Sequence, residues 1–207
     1  MTCAHVRYSS NRHVVYTHVG GNFNETLQQL TKIKMTDKTI YRDAPQYCHY
    51  FFDLVQTDDL LTELEKSYHL TQELFSLIIP EKENYSYQPN KWTTKEVIRH
   101  IIDCERVYTY RALRFSRFDN TELSGFDENK YIDGIKNIEQ NFTDLKDEFE
   151  NVRKSTIALF KTMTKEMLDF KGTANKVVFT ARTLGFMTVG HNIHHCNFIK
   201  TNYLNGQ

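Results

Sequence analysis

Four stretches of this chain place apolar residues at every third or fourth position, and each is long enough for several helical turns. A stripe of that period runs along one side of an α-helix and has to be buried against another element. Breakers are scarce, with 8 Gly and 3 Pro among 207 residues. Long periodic runs with few turn residues argue against a many-turned β protein and for an all-α domain. Four amphipathic helices bury their stripes most economically as a four-helix bundle, here with a short extra helix at its N-terminal side.

The elements follow from caps and periodicity. Pro45 suits the first turn of a short helix over about 45–55, with Tyr47, Tyr50, Phe51 and Leu54 on one side. Thr57 is expected to cap a helix over about 58–79, striped by Leu61, Leu64, Tyr68, Phe75 and Ile78 and ended by Pro80. Residues 81–91 read as a loop. Thr93-Thr94-Lys95-Glu96 is a capping box that starts a helix at Thr94, running to about Phe118. Residues 119–134 read as a polar connection. Ile138, Phe142, Leu145, Phe149, Val152 and Leu159 mark a helix over about 136–164. Gly172 marks a further loop, and Thr180 caps a last helix reaching Leu204.

The first 34 residues differ: they lack clear periodicity, and Gly20-Gly21 breaks them. They have neither the apolar core of a secretory signal nor the Arg-rich bias of a transit peptide. Met35 offers a second start, so the working domain is expected over 41–207, with 1–40 as an N-terminal extension. His5, His13 and His18 lie in that extension with nothing to fix their geometry. Lys plus Arg and Asp plus Glu balance at 26 each, so no global field favours nucleic acid or an anionic membrane. No apolar run approaches the ~18 residues that cross a bilayer. Cys3, Cys48, Cys104 and Cys196 are far apart without a CxxC pair, as expected of reduced thiols in a cytoplasmic protein.

Chemistry concentrates near the end of the chain. In Gly190-His191-Asn192-Ile193-His194-His195, three histidines fall within five residues of a helix. Residues one turn apart have Cβ atoms about 5–6 Å apart, which suits two imidazole ligands of one transition metal. His191 can pair with His195 or with His194; the i,i+4 pair stacks more directly along the axis. A third ligand is sought on another inward face, and His100 qualifies, lying between Val97 and Ile101. Glu96, Asp103, Cys104 and Val107 fall within about 60° of it. Such a polar concentration is costly in an ordinary core, and a metal would account for it. Asp103 could orient an imidazole or pair with a surface cation. Cys104 could be a fourth ligand, but a cysteine inside a helix is more often a small buried hydrophobe, and the same holds for Cys196. Gly190 costs about 1 kcal/mol in a helix and points to close approach by another helix or a ligand, or to a local packing contact. Arg111 shares the His100 face about 16 Å along the axis, where pairing with an acid is expected. Trp92 reads as a packing anchor or a pocket rim.

Several motifs together resemble the DinB-like family. They are Tyr85-Ser86-Tyr87-Gln88-Pro89-Asn90-Lys91-Trp92-Thr93 with Glu96 and His100-Ile101-Ile102-Asp103, then Glu105-Arg106-Val107-Tyr108 and Arg111-Ala112-Leu113. Gly125-Phe126-Asp127, Gly172-Thr173-Ala174-Asn175 and Gly190–His195 continue the likeness, which spans about residues 44–205. The nearest branch is YfiT-like and bacillithiol-transferase-like. The resemblance implies a four-helix bundle holding one divalent metal, zinc or nickel, on His100, His191 and His195. It also implies a homodimer and a thiol-S-transferase acting on a small-molecule thiol and an electrophilic substrate. A hydrolase using metal-bound water and a non-catalytic metal-binding stress protein are the alternatives. Glu96, Asp103 and Asp127 are candidates for a general base or substrate contact, with capping or solvation as the competing role.

Overall fold

Side-chain caps decide where the long helices begin. The computed structural model describes residues 43–204; Cys3, His5, His13, His18 and the extension expected over 1–40 lie outside them. A 3₁₀ turn, Gln46–Cys48, leads into α1 (His49–Phe52), then α2 (Leu60–Leu77), α3 (Pro80–Glu83) and α4 (Thr94–Ser116). There follow α5 (Glu128–Ile135), α6 (Phe142–Lys161), α7 (Lys165–Asp169), strands β1 (Lys171–Ala174) and β2 (Val177–Thr180), and α8 (Ala181–Ile199). A π-helical turn, Lys200–Leu204, closes the described chain.

The capping box at Thr93 forms as the sequence predicts: its hydroxyl accepts the Glu96 amide at 3.2 Å, and the Glu96 carboxylate accepts the Thr93 amide at 2.7 Å. Thr180 likewise caps α8. Other boundaries move. Asp59, not Thr57, caps α2 by accepting the amides of Leu61 and Thr62; the Thr57 hydroxyl donates to Glu63 instead. Pro80 does not stop α2 but opens α3 within the expected loop, since the first turn of a helix needs no proline N–H. The connection over 119–134 contains α5, capped by Asp127. The helix expected over 136–164 starts at Phe142 behind its cap, Asn141, and Ile138 lies outside it in solvent.

The domain is mostly helical, but the loop expected at Gly172 is a β-hairpin pairing Gly172 with Phe179 and Ala174 with Val177. Asn175 and Lys176 both have positive φ, the backbone of a tight two-residue turn that matches strand twist. Leu123 bonds to the hairpin through the Thr173 carbonyl and the Asn175 amide, which fixes the loop after α4.

The four long helices, α2, α4, α6 and α8, form the bundle. Both α6 and α8 pack on α2 and on α4, so α2 and α4 occupy opposite corners. The last helix is not the one-striped amphipath expected: from Thr183 to Asn192 every residue is buried. It is enclosed by α2, α4, α1, α7 and β2. The short N-terminal segment also turns the other way. Cys48, Phe52 and Val55 are buried, whereas Tyr47 and Tyr50 face solvent, because only the former set meets the core.

That core has two apolar halves. One gathers Leu60, Leu64, Phe115, Phe160, Leu184 and Phe186; the other gathers Leu74, Phe75, Ile98, Phe149, Cys196 and Ile199. Along each bundle helix the buried polar residues fall between the two sets: Ser67 and Thr71 on α2, Glu105 on α4, Arg153 on α6, and His191, Asn192 and His195 on α8. Ser67, Thr71, Glu105, Arg153 and Asn192 are hydrogen-bonded, as burial demands. The Arg153 guanidinium holds Glu105 with two bonds of 2.8 Å and also donates to the Leu64 carbonyl at 3.0 Å and to the Ser67 hydroxyl. Asn192 donates to the Ser67 carbonyl at 3.1 Å and to the Thr71 hydroxyl at 2.9 Å. This polar belt ties all four helices at mid-height.

Candidate metal centre

The belt orients α8. With Asn192 bound to α2, the preceding residue, His191, is turned toward α4, and His195 lies one turn further on the same side. There they meet His100. The His191 Nε2 atom is 3.0 Å from His100 Nε2 and 3.1 Å from His195 Nε2. All three residues are buried, and their ligand atoms fall within 4.8 Å of one another.

Burial and mutual proximity decide the charge of this cluster. Loss of solvation lowers the pKa of His100 to about 4, aided by the neighbouring His194. Desolvation lowers His191 and His195 well below the ordinary histidine value, and the charges of the other imidazoles act in the same direction. At neutral pH all three rings are therefore uncharged. A neutral imidazole carries one N–H, so three facing Nε2 atoms cannot satisfy one another as donors and acceptors. A cation at their focus resolves that conflict, because each can then present a lone pair. Ligands about 2.0–2.1 Å from a tetrahedral ion stand about 3.3 Å apart, within a few tenths of the two distances from His191, and the third pair lies within 4.8 Å. The residues present thus fit a divalent metal held by three neutral nitrogens, with a position left open.

The surroundings are aromatic. Trp92 lies 5.0 Å from the His100 ring, and Phe51 and Tyr108 each lie 5.8 Å from His191, centroid to centroid. Trp92 is both a wall of the cluster and an anchor, its carbonyl accepting the Tyr203 hydroxyl at 2.8 Å. Gly190 explains how α1 comes so close: a Cβ there would stand 2.2 Å from the Phe51 carbonyl oxygen. The contact that the sequence left open between a helix and a ligand is therefore with a helix. His194 is outside the converging group, with its Nδ1 hydrogen-bonded to the Tyr50 hydroxyl at 2.9 Å.

The other candidates have different employment. Cys104 is buried with its sulfur 3.6 Å from His100 Nδ1, beside the ring and not among the converging nitrogens. Cys196 contacts Thr71, away from the cluster. Glu96 is bound in the capping box, and Asp127 accepts the Asn129 and Lys130 amides as a cap. Asp103 stands 4.0 Å from Arg99, in a surface group where Glu148 takes Arg99 and Arg106 at 2.6 Å each. Burial raises its pKa, against the pull of Arg99. Among the described residues Arg111 pairs with no acid; it donates to the Ser124 carbonyl at 2.9 Å. Sequence reasoning offered Trp92 as a rim but missed the belt and the Phe51 and Tyr108 walls. The belt had a signal: Arg153 follows Phe149 by four residues, and Ser67 and Thr71 continue the Leu64 stripe, so these polar residues lie on buried faces.

Fold and cluster together define a helical bundle with a buried three-histidine focus. The DinB superfamily model matches residues 63–199, and the chain belongs to this superfamily. Among solved structures it is similar to YfiT from Bacillus subtilis, described as "a probable metal-dependent hydrolase with an unusual four-helix bundle topology". That likeness has a TM-score of 0.62 at 16% identity and covers 70% of this chain and 83% of YfiT. A DinB-like protein from the same organism, YjoA, gives a TM-score of 0.51 at 17% identity, covering 70% of this chain and 89% of the other. At such identities the likeness is one of fold. A search of curated proteins gives no match.

Proposed function

We propose that this protein is a divalent-metal-dependent thiol-S-transferase, in which His100, His191 and His195 hold zinc or nickel and a low-molecular-weight thiol attacks a small electrophile. The observation that carries the reading is the convergence of three neutral Nε2 atoms inside an aromatic pocket whose neighbouring carboxylates are engaged elsewhere. A divalent ion bound there would supply Lewis acidity, lowering the pKa of a coordinated thiol or water toward neutrality. The chain does the rest. Burial keeps the three imidazoles unprotonated and their lone pairs available. Phe51, Trp92 and Tyr108 limit water around the cluster and present apolar faces to an electrophile. Thiol and water alike would shed a proton on activation, to solvent or to a neighbouring base. Glu96 and Asp127, the carboxylates that would accept that proton, are occupied as caps.

Hydrolysis is the second reading, favoured by the likeness to YfiT and its description. A cytoplasmic setting and a homodimer accompany the first. Cys48, Cys104 and Cys196 are buried and form no disulfide with one another, and no helix among the described residues is long and apolar enough to cross a membrane. The test couples metal analysis to turnover of monochlorobimane with and without a small thiol. One ion per chain, thiol-dependent conjugation, and loss of both in His191→Ala are expected. Unchanged metal content in His191→Ala would refute the site. Ester cleavage without a thiol requirement would establish the hydrolase, and full occupancy with no turnover on a broad panel would leave a metal-binding stress protein.

A further inference from the structure

A cleft of about 550 Å³ opens beside α4, lined by Arg106, Tyr110, Arg111, Arg114, Gly125 and Phe126 among others. Two of its three arginines are neutralised at the rim. Arg106 pairs with Glu148 at 2.6 Å, and Arg114 pairs with Asp119 while donating to the Tyr110 hydroxyl. Glu122, the acid lining the cleft, accepts the Lys176 amide at 3.2 Å.

Arg111 is different. It is only 6% exposed, yet among the described residues no carboxylate pairs with it. One Nη2 donates to the Ser124 carbonyl at 2.9 Å, and the guanidinium lies 5.6 Å from the Phe126 ring centroid. The ionisable groups that feel its charge are Tyr108, Tyr47, Cys104 and Tyr131, which are phenols and a thiol. A guanidinium stays protonated even when buried, so this is a lasting positive charge without a counter-charge. It has five N–H donors in a planar fork, and one carbonyl does not exhaust them. Buried charges are ordinarily paired, and among the described residues Arg111 has no such partner. The cleft gives that partner room. Its position is suggestive too: Tyr108, three residues before Arg111 on α4, packs against His191, and Cys104 lies against His100. Both residues lie on the stretch of α4 between His100 and Arg111.

We propose that Arg111 anchors an oxyanion site in this cleft, which takes a small molecule through a carboxylate or phosphate group held by this guanidinium. The inference depends neither on a metal at the histidine cluster nor on the reaction performed there. Phe126 flanks the planar fork, and Ser124 fixes its orientation for two parallel hydrogen bonds to the anion.

Calorimetric titration of the full-length, metal-free protein with succinate and, separately, with inorganic phosphate tests this. Saturable binding of one of the two is expected, and the stronger arm identifies the group. Arg111→Met should weaken it about tenfold or more, as expected for losing a charged hydrogen-bonding partner. Arg111→Lys, which keeps the charge without the fork, should cost less, about threefold, and decides the matter if Arg111→Met does not fold. Arg114→Met, which removes an arginine already paired with Asp119, should leave binding unchanged. Added salt should weaken binding. Failure of both anions to bind, or binding indifferent to Arg111, overturns the proposal. Binding that appears only after zinc loading would put the anion at the histidines and also overturns it. Because the protein is metal-free, loss of the transferase reading would leave the result standing.

Discussion

The three histidines are a case where burial, aided by neighbouring imidazoles, sets a chemical state. Their folded pKa values lie below the ordinary 6.5, so the native protein binds fewer protons than the unfolded chain wherever pH falls between the two. Stability must therefore rise with pH in that window. For the metal-free protein, His100 contributes nothing adverse above about pH 6.5 and loses about 1.4 kcal/mol per unit on acidification to about pH 4, where its own ring protonates. His191 and His195 extend the loss to lower pH. Urea unfolding at stepped pH should show this slope, and a profile flat between pH 6 and 4.5 would contradict the assignment of neutral rings. At this scale the sequence was informative: the spacing of His191 and His195 and the inward face of His100 were readable, because helical geometry fixes relative direction. Phe51 and Arg111 were not. Their partners, Gly190 and Ser124, are chosen by tertiary contact, which periodicity does not encode.

Elements were legible where one cap stood alone. Thr93 and Thr180 begin helices as read, but Thr57 and Asp59 are both competent caps two residues apart, and the Glu63 carboxylate claims the threonine hydroxyl. Ile138 sits four residues before Phe142 and so mimics a helical stripe across the Asn141 cap. The hairpin escaped because strands of four residues carry too little pattern. The element most dependent on a single position is α1, which rests on Gly190. Alanine has the better helix propensity by about 1 kcal/mol. Its Cβ would nevertheless overlap the Phe51 carbonyl, a backbone atom that cannot rotate away. Gly190→Ala should therefore destabilise the protein by about 1–3 kcal/mol, the usual cost of overpacking. Denaturant unfolding checks this, and a variant as stable as the parent or more so would refute the contact.

For the whole molecule, apolar stripes revealed four bundle helices but not their order. A stripe says which face is buried and leaves its neighbour unspecified, so the diagonal placement of α2 and α4 came from the structure. The polar belt is what fixes that arrangement, and its centre is the Arg153–Glu105 pair, 0% and 2% exposed. Breaking such a pair strands a charge: Arg153→Met should cost about 3–5 kcal/mol, whereas the double change Arg153→Met with Glu105→Leu should cost far less. Additive single effects in a double-mutant cycle would disprove the coupling. One consequence of α1 concerns time and not equilibrium. This wall of the cluster is a single helical turn, fastened by the buried Cys48 and Phe52, by Gly190 packing and by the Tyr50–His194 hydrogen bond, and its local opening is expected to need less than unfolding of the bundle helices. Its detachment would then set how fast a bound ion exchanges. Tyr50→Phe should hasten stripping by a chelator while leaving the melting temperature nearly unchanged, which makes residence time adjustable separately from stability.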